Sequence, residues 1–170
     1  MIHPTAIIGP NVTLGERVFI GPYAVIGMHA ESNAVDPRHA IAGRVVIGDD
    51  VTIHELVTVQ GSAGGGATII GDRCRLQAHS HVGHDAVLAP DVTVSCGAKV
   101  GGHAVLHAHC NVGLNAVLHQ LTRLAEGTMV GASAFVKGEV IDPWTIVAGV
   151  PARHIGHNAV GKQRAHEQGH

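Results

Sequence analysis

One short stretch of this 170-residue sequence carries the residue types of proton-transfer chemistry: His81-Val82-Gly83-His84-Asp85. Eighteen residues on stand Gly101-Gly102-His103, and eighteen beyond that His119-Gln120-Leu121. A histidine beside a carboxylate, with bare glycine amides near it, supplies the parts of a general base and an oxyanion site. His81 precedes the pair by one turn position and is placed to line the same cleft. The plain alternative is conformational. Glycine suits tight corners in any fold, and with 15 histidines in the chain some fall beside acids by accident.

The interval of eighteen has meaning only if the chain returns to the same corner every eighteen residues, and the aliphatic pattern says that it does. At a six-residue step the sequence reads Ile2, Ile8, Leu14, Ile20, Ile26, then Ile41, Ile47, Ile53, Val59, then an unbroken series from Ile70 and Leu76 through Val82 and Leu88 to Val136. Two positions before each member of that last series sits a small or β-branched residue, such as Thr68, Cys74, Ser80, Ala86 and Val92. A period of six fits neither a 3.6-residue helix nor simple alternation along a long strand. It fits three short strands turning through a triangle, with coils stacked roughly 4.8 Å apart by parallel ladder bonds. Each buried aliphatic side chain contributes roughly 1.5–3 kcal/mol.

The expected fold class is therefore all-β, a parallel β-helix of hexapeptide repeats with about seven coils and a short C-terminal tail or helix. Its pattern resembles the left-handed β-helix of the hexapeptide-repeat transferases, and the resemblance supplies the hand. Residues 1–152 are assigned to the coil, with loop insertions near 27–40 and 60–69, and residues 153–170 to a short C-terminal extension. In this frame one corner gathers His84, Asp85, His103, His119 and Gln120, with the run Gly64-Gly65-Gly66 beneath His84.

Composition narrows the alternatives. With 11 Lys+Arg against 13 Asp+Glu, nothing in the charge calls for nucleic acid or an acidic membrane surface. Aromatics are 2% of the chain, namely Phe19, Tyr23, Phe135 and Trp144, which excludes base-stacking platforms. No apolar run approaches the roughly 18 residues of a membrane span. The N-terminal MIHPTAIIGP has no basic or long apolar segment, so no secretory signal is expected. Three cysteines without paired spacing fit a reducing, cytoplasmic setting. Cys74 and Cys110 take inward positions; Cys96 faces outward without an evident acidic or basic partner. His3, His29, His39, His157, His166 and His170 are read as solvated surface. His54, His79, His107 and His109 are read as surface or intersubunit residues.

The segment from Gly64 to Leu106 resembles the catalytic coils of the UDP-N-acetylglucosamine acyltransferases of lipid A biosynthesis. The shared elements are a glycine-rich turn, the His81-x-x-His84-Asp85 element and the Gly102-His103 step one coil on. Further on, AVLHQ (116–120) resembles the family's Ala-Val-His-Gln with one residue inserted, and GHNAVGKQR (156–164) its last segment. The similarity covers residues 43–164. It implies His84 as general base, Asp85 as its orienting or charge-stabilising partner, and the Gly102 amide as oxyanion donor. It implies contacts to nucleotide-sugar or acyl carrier from His81, His103, His119, Gln120 and Gly66, and to a pantetheine arm from Asn158 and Arg164. No bound cofactor is expected. The co-substrates are an acyl thioester of acyl carrier protein or coenzyme A and a nucleotide-sugar acceptor, and the assembly is a homotrimer with sites between subunits.

Departures from the family pattern keep donor and acceptor open. Gln60 stands where a substrate-contacting histidine is usual, the lysine-bearing loop has no clear counterpart, and no C-terminal helical domain is expected. GVPAR (149–153) looks like the closing motif of acetyltransferases that use coenzyme A. Both hydroxyl and amine acceptors would need a base. Two other readings stand beside acyl transfer. One is a zinc enzyme like the γ-class carbonic anhydrases, with three histidines converging across an interface; against it, His84 stacks under Gly102, His79 under Gly97 and His81 under Lys99. The other is a non-catalytic β-helix scaffold.

Overall fold

The computed structural model describes residues 1–31 and 41–167. Short strands run in three parallel faces. The first face has seven strands, from Ile7–Ile8 to Phe135–Val136, and the second seven, from Val12–Leu14 to Glu139–Val140. The third has eight, from Phe19–Ile20 to Ala152–His157. Apart from the last, Ala152–His157, each strand pairs in parallel with the one a full turn away, so the fold is the expected left-handed parallel β-helix. Through the unbroken block the register is a constant eighteen: Val82 lies against Val100, Leu88 against Leu106, Val94 against Val112.

The inward positions explain the sequence pattern. Leu76, Val82, Leu88, Val94, Val100 and Leu106 are all fully buried, and Ala86, Ala98 and Ala104 fill the tighter inward sites between them. Cys74 and Cys110 share that interior, where burial pushes each thiol up to about 12; Cys96 is exposed. Ile41 departs from the expectation. It is 86% exposed, and the inward positions of its coil are Val45 and Ile47 instead.

The coil turns a corner every six residues, and at each corner one residue takes left-handed backbone angles. His79 (φ 60°), Asp85 (58°), Asp91 (63°), Gly97 (71°), His103 (58°) and His109 (60°) follow in order. Asp, Asn and His tolerate this region better than other residues with a side chain. Part of the histidine surplus is thereby a corner requirement, filled here by His79, His103 and His109.

Two insertions break the register. Ile20 lies against Ile53, a separation of 33 (53 − 20) where Ile8 against Ile26 gives 18 (26 − 8). Most of the expected loop near 27–40 lies at residues 32–40, outside the described residues. The second insertion separates Val82 from Val59 by 23 (82 − 59), while Leu88 from Ile70 is again 18 (88 − 70). Five extra residues therefore bulge at the corner between the first and second faces, below His84.

Past Val136 the coil continues through Glu139–Val140 and Thr145–Gly149. Ala152–His157 then folds back antiparallel on Thr145–Gly149, and a helix follows over Ala159–Glu167. Among the described residues no helix is long and apolar enough to cross a membrane.

Candidate active site

His84 and Asp85 occupy the corner that joins strand His81–Val82 of the first face to strand Val87–Leu88 of the second. Backbone bonds fix both residues. The His84 N–H donates to Gln60 Oε1 (3.2 Å), and the Asp85 N–H donates to the Thr68 hydroxyl (2.8 Å). Gly83 allows the next coil to close on this one, because a Cβ there would stand 2.7 Å from the Gly102 nitrogen.

The Asp85 carboxylate accepts from the Ser62 hydroxyl, from the Ala63 N–H (2.9 Å) and from His84 Nδ1 (2.9 Å). The His103 Nε2 lies 3.9 Å away. Burial alone would raise the Asp85 pKa. The bonds from Ser62, Ala63 and His84, with the nearby His103, outweigh burial and bring it down to about 2. Asp85 is therefore an anion at neutral pH, and an anion only accepts. The proton of a neutral His84 ring is held on Nδ1, leaving the Nε2 lone pair free. Nε2 sits over Gly102: a Cβ built on that glycine would come within 2.8 Å of it. The Gly102 N–H makes no hydrogen bond among the described residues.

The other sequence-derived candidates divide into three groups. His103 joins the pair directly: its N–H donates to the His84 carbonyl (2.9 Å), and the two rings meet edge to face at 4.9 Å. His81 lies on the adjoining first face, with Nδ1 2.8 Å from the Thr58 hydroxyl. It is among the residues lining a cleft of about 450 Å³, with Met28, Glu31, Gln60 and Lys99. Burial pushes its pKa below the ordinary value; Glu31 opposes this, while Lys99 and His84 add to it. His119 and Gln120 continue the corner upward. His119 Nδ1 donates to the Gln120 carbonyl (3.1 Å) and its ring meets Phe135 edge to face.

Gly66 borders the carboxylate, where a Cβ would lie 3.9 Å from Asp85 Oδ1. The glycine run as a whole is not beneath His84. Gln60 takes that place, and Gly64 and Gly65 have open space around them in the bulge. Asn158 and Arg164 lie elsewhere in the chain. Asn158 caps the C-terminal helix, accepting from the Gly161 N–H (3.0 Å) while its amide donates to the Gly127 carbonyl (3.0 Å). Arg164 is in a groove of about 640 Å³ against the third face, with Arg73, Arg75, Asp91 and His109. Within one chain that face is across the prism from His84.

Ser62, Ala63, Gln60 and Thr68 hold the His84–Asp85 pair; from sequence Gln60 is marked only as standing in place of a histidine, and the other three are not site candidates. All lie across the second insertion, whose length hides their register. His79 meets the Gly97 position and His81 meets Lys99, as the columns implied. The group of potential metal ligands among the described residues is a diagonal one, His84, Asp85 and His103.

Residues 1–27 match the bacterial transferase hexapeptide family model, which describes six repeats. An acyl-[acyl-carrier-protein]–UDP-N-acetylglucosamine O-acyltransferase from Alkalilimnicola ehrlichii is 33% identical over 123 residues, covering 71% of this chain and 47% of the relative. The enzyme of that name from Anaeromyxobacter sp. strain Fw109-5 is 36% identical over 147 residues, covering 75% and 55%. The chain thus spans about half the length of the curated relatives it matches. Among solved structures, a UDP-N-acetylglucosamine acyltransferase superposes with a TM-score of 0.78 at 25% identity, over 97% of this chain and 74% of the other. LpxA, a UDP-N-acetylglucosamine acyltransferase from Bacteroides fragilis 9343, gives 0.81 at 24% identity, over 97% and 78%. The second likeness bears on fold alone.

Proposed function

We propose, from the premise that the chain belongs to the hexapeptide-repeat acyltransferase superfamily and is kin to the UDP-N-acetylglucosamine O-acyltransferases, that it is itself an acyltransferase. The donor is a pantetheine thioester of acyl carrier protein or coenzyme A. The acceptor is a hydroxyl or amine of a nucleotide-sugar. The observation that carries this reading is the His84 ring, held through Nδ1 by an ionised Asp85 with Nε2 over Gly102.

His84 Nε2 takes the proton from the acceptor O–H or N–H as that atom attacks the thioester carbonyl carbon. The carbonyl oxygen becomes an oxyanion and is received by the Gly102 N–H. When the tetrahedral intermediate collapses, the C–S bond breaks and the imidazolium returns its proton to the departing thiolate. Asp85 keeps the ring in the useful tautomer and stabilises the imidazolium between the two steps. His81 and Gly66 border the acceptor side. His103, His119 and Gln120 contact nucleotide-sugar or carrier along the corner. Arg164 is assigned to the donor's pantetheine arm, with Asn158 acting on it by capping its helix. In a homotrimer with sites between subunits, the third face of one copy would approach this corner of the next. The setting proposed is cytoplasmic.

The test is free-thiol release from a panel of acyl-coenzyme A and acyl-carrier donors, with and without UDP-sugars. Acceptor-dependent release should fall by at least about 100-fold in His84→Ala, with unchanged circular dichroism. Silence of the wild-type protein across the whole panel overturns the reading.

A further inference from the structure

His84, Asp85 and His103 bring three potential ligand atoms within 4.8 Å of one another. His84 Nδ1 is 2.9 Å from Asp85 Oδ2, and His103 Nε2 is 3.9 Å from the same oxygen. Ligand atoms on a tetrahedral zinc, bound at roughly 2.0–2.2 Å, stand about 3.4 Å apart. One of these edges is shorter than that value and the other longer, and the third edge, between the two imidazoles, is at most 4.8 Å, so movements of up to about 1.4 Å at the imidazole tips complete the set. Two imidazoles and a carboxylate with an open fourth position suit zinc rather than magnesium or calcium.

The surroundings also fit. Ser62 holds Oδ1 and the Ala63 N–H holds Oδ2, as outer-shell donors hold a ligating carboxylate. The side chains of His84 and Asp85 are 21% and 13% exposed, while His103 at 49% leaves an approach from solvent. Because His103 stacks above Asp85 and not above His84, a search for vertical histidine pairs passes over the group.

We propose that His84, Asp85 and His103 bind one Zn²⁺ per chain, and that zinc in this position switches off proton transfer by His84. The second half rests on the general-base role given above. Zinc takes the Nδ1 lone pair, so the proton must leave Nδ1. The ring stays neutral by carrying a proton on Nε2, so the exchange releases none overall. Nε2, the atom over Gly102, then donates and no longer accepts.

The protein is purified on a tag without histidine, stripped with a chelator and titrated with Zn²⁺ alone against a chromophoric competitor. One equivalent should bind, and the affinity should drop by at least about tenfold in His103→Ala, His103→Gln and Asp85→Asn. The competing site is the pair His154 and His157, whose rings lie 5.3 Å apart on the C-terminal hairpin; the double substitution His154→Ala/His157→Ala should leave the first equivalent unchanged. In ¹⁵N spectra, zinc should shift His84 Nδ1 and move its proton to Nε2. Wild-type affinity in both His103 variants, or loss of the first equivalent in the hairpin variant, overturns the site. Thiol release should stop at one equivalent and return on chelation. Full transfer with zinc bound overturns the switch and leaves the site standing. A metal-free protein without transfer overturns the acyltransferase reading, and the titration alone then decides the site.

Discussion

Asp85 and Asp91 occupy successive corners of the same coil in the same left-handed backbone conformation, and their surroundings differ in kind. Asp91 belongs to a ladder of alternating charge. Arg17 donates to Asp50, and one coil on Arg73 donates to both oxygens of Asp91 at 2.8 Å each. Asp85 pairs with no arginine or lysine among the described residues; its partners are a hydroxyl, a backbone N–H and imidazole rings. The position eighteen residues below Asp91 is Arg73. The same step below Asp85 reaches Ala67, and the insertion brings Ser62 to the carboxylate instead. A bidentate guanidinium neutralises a carboxylate. Neutral donors keep it ionised while leaving its charge to act on the neighbouring ring. The fold offers the same corner many times over, and the insertion gives one of them neutral donors in place of a guanidinium.

The strongest way to break this contrast is Asp85→Asn. The amide is nearly isosteric but does not hold the Nδ1 proton, so turnover should fall by about 10²–10⁴ in the thiol-release assay. The same variant tests the charge through stability. Asp85 has a folded-state pKa of about 2 against an ordinary 3.8. A depressed pKa gives stability that is present above about pH 4 and is lost as pH falls towards 2. The urea midpoint of the wild type should therefore lead that of Asp85→Asn at pH 6, and the lead should shrink between pH 4 and 2. A constant lead would mean that Asp85 stabilises by shape alone.

Next in size is Gly102→Ala. The new methyl would stand 2.8 Å from His84 Nε2, displacing the ring or filling the space of the reacting atoms. A rate loss of about 100-fold is expected, with the melting temperature changed little. Ser62→Ala is a smaller perturbation. It removes one hydrogen bond to an ionised carboxylate, about 1.5–3 kcal/mol at most. About tenfold should be lost from kcat, and the Asp85 pKa should rise towards the ordinary value by ¹³C carboxylate titration. An unchanged Asp85 titration would show that the insertion does not tune this carboxylate.

What could be read from the sequence follows the same division. From Ile70 to Val136 nothing interrupts the period, so one interval of eighteen places each inward aliphatic, and it also places Gly102 and His103 over His84 and Asp85. Across the insertions the period is silent, because a bulge of five residues leaves no hydrophobic mark. Ile41 keeps the six-residue phase yet stands exposed, and the glycine run falls to the side of His84. Ser62 is hidden for the same reason, and Gln60 is marked only as standing where the family has a histidine, without its bond to the His84 N–H. Asn158 had a readable local signal, a capping residue immediately before a helix, which accounts for its side chain without a ligand. The diagonal closeness of His103 to Asp85 is a property of side-chain reach, and columns of Cα positions do not contain it.

The smallest expected effect is at Asp91, and it tests whether the two corners differ as argued. Asp91→Asn removes the charge that Arg73 grips, but the pair lies partly in solvent, with the Arg73 side chain 39% exposed. Ion pairs in that setting contribute about 0–1 kcal/mol, so the urea midpoint should move by no more than that amount. The small shift should diminish in high salt, where screening weakens the wild-type pair. Turnover should be unchanged, because Asp91 stands at the next corner of the coil, between the second and third faces. If Asp91→Asn slowed thiol release as much as Ser62→Ala, the charge ladder would be coupled to the Asp85 corner through the coil. The special status of Asp85 would then lie in the whole prism and not in the donors that the insertion supplies.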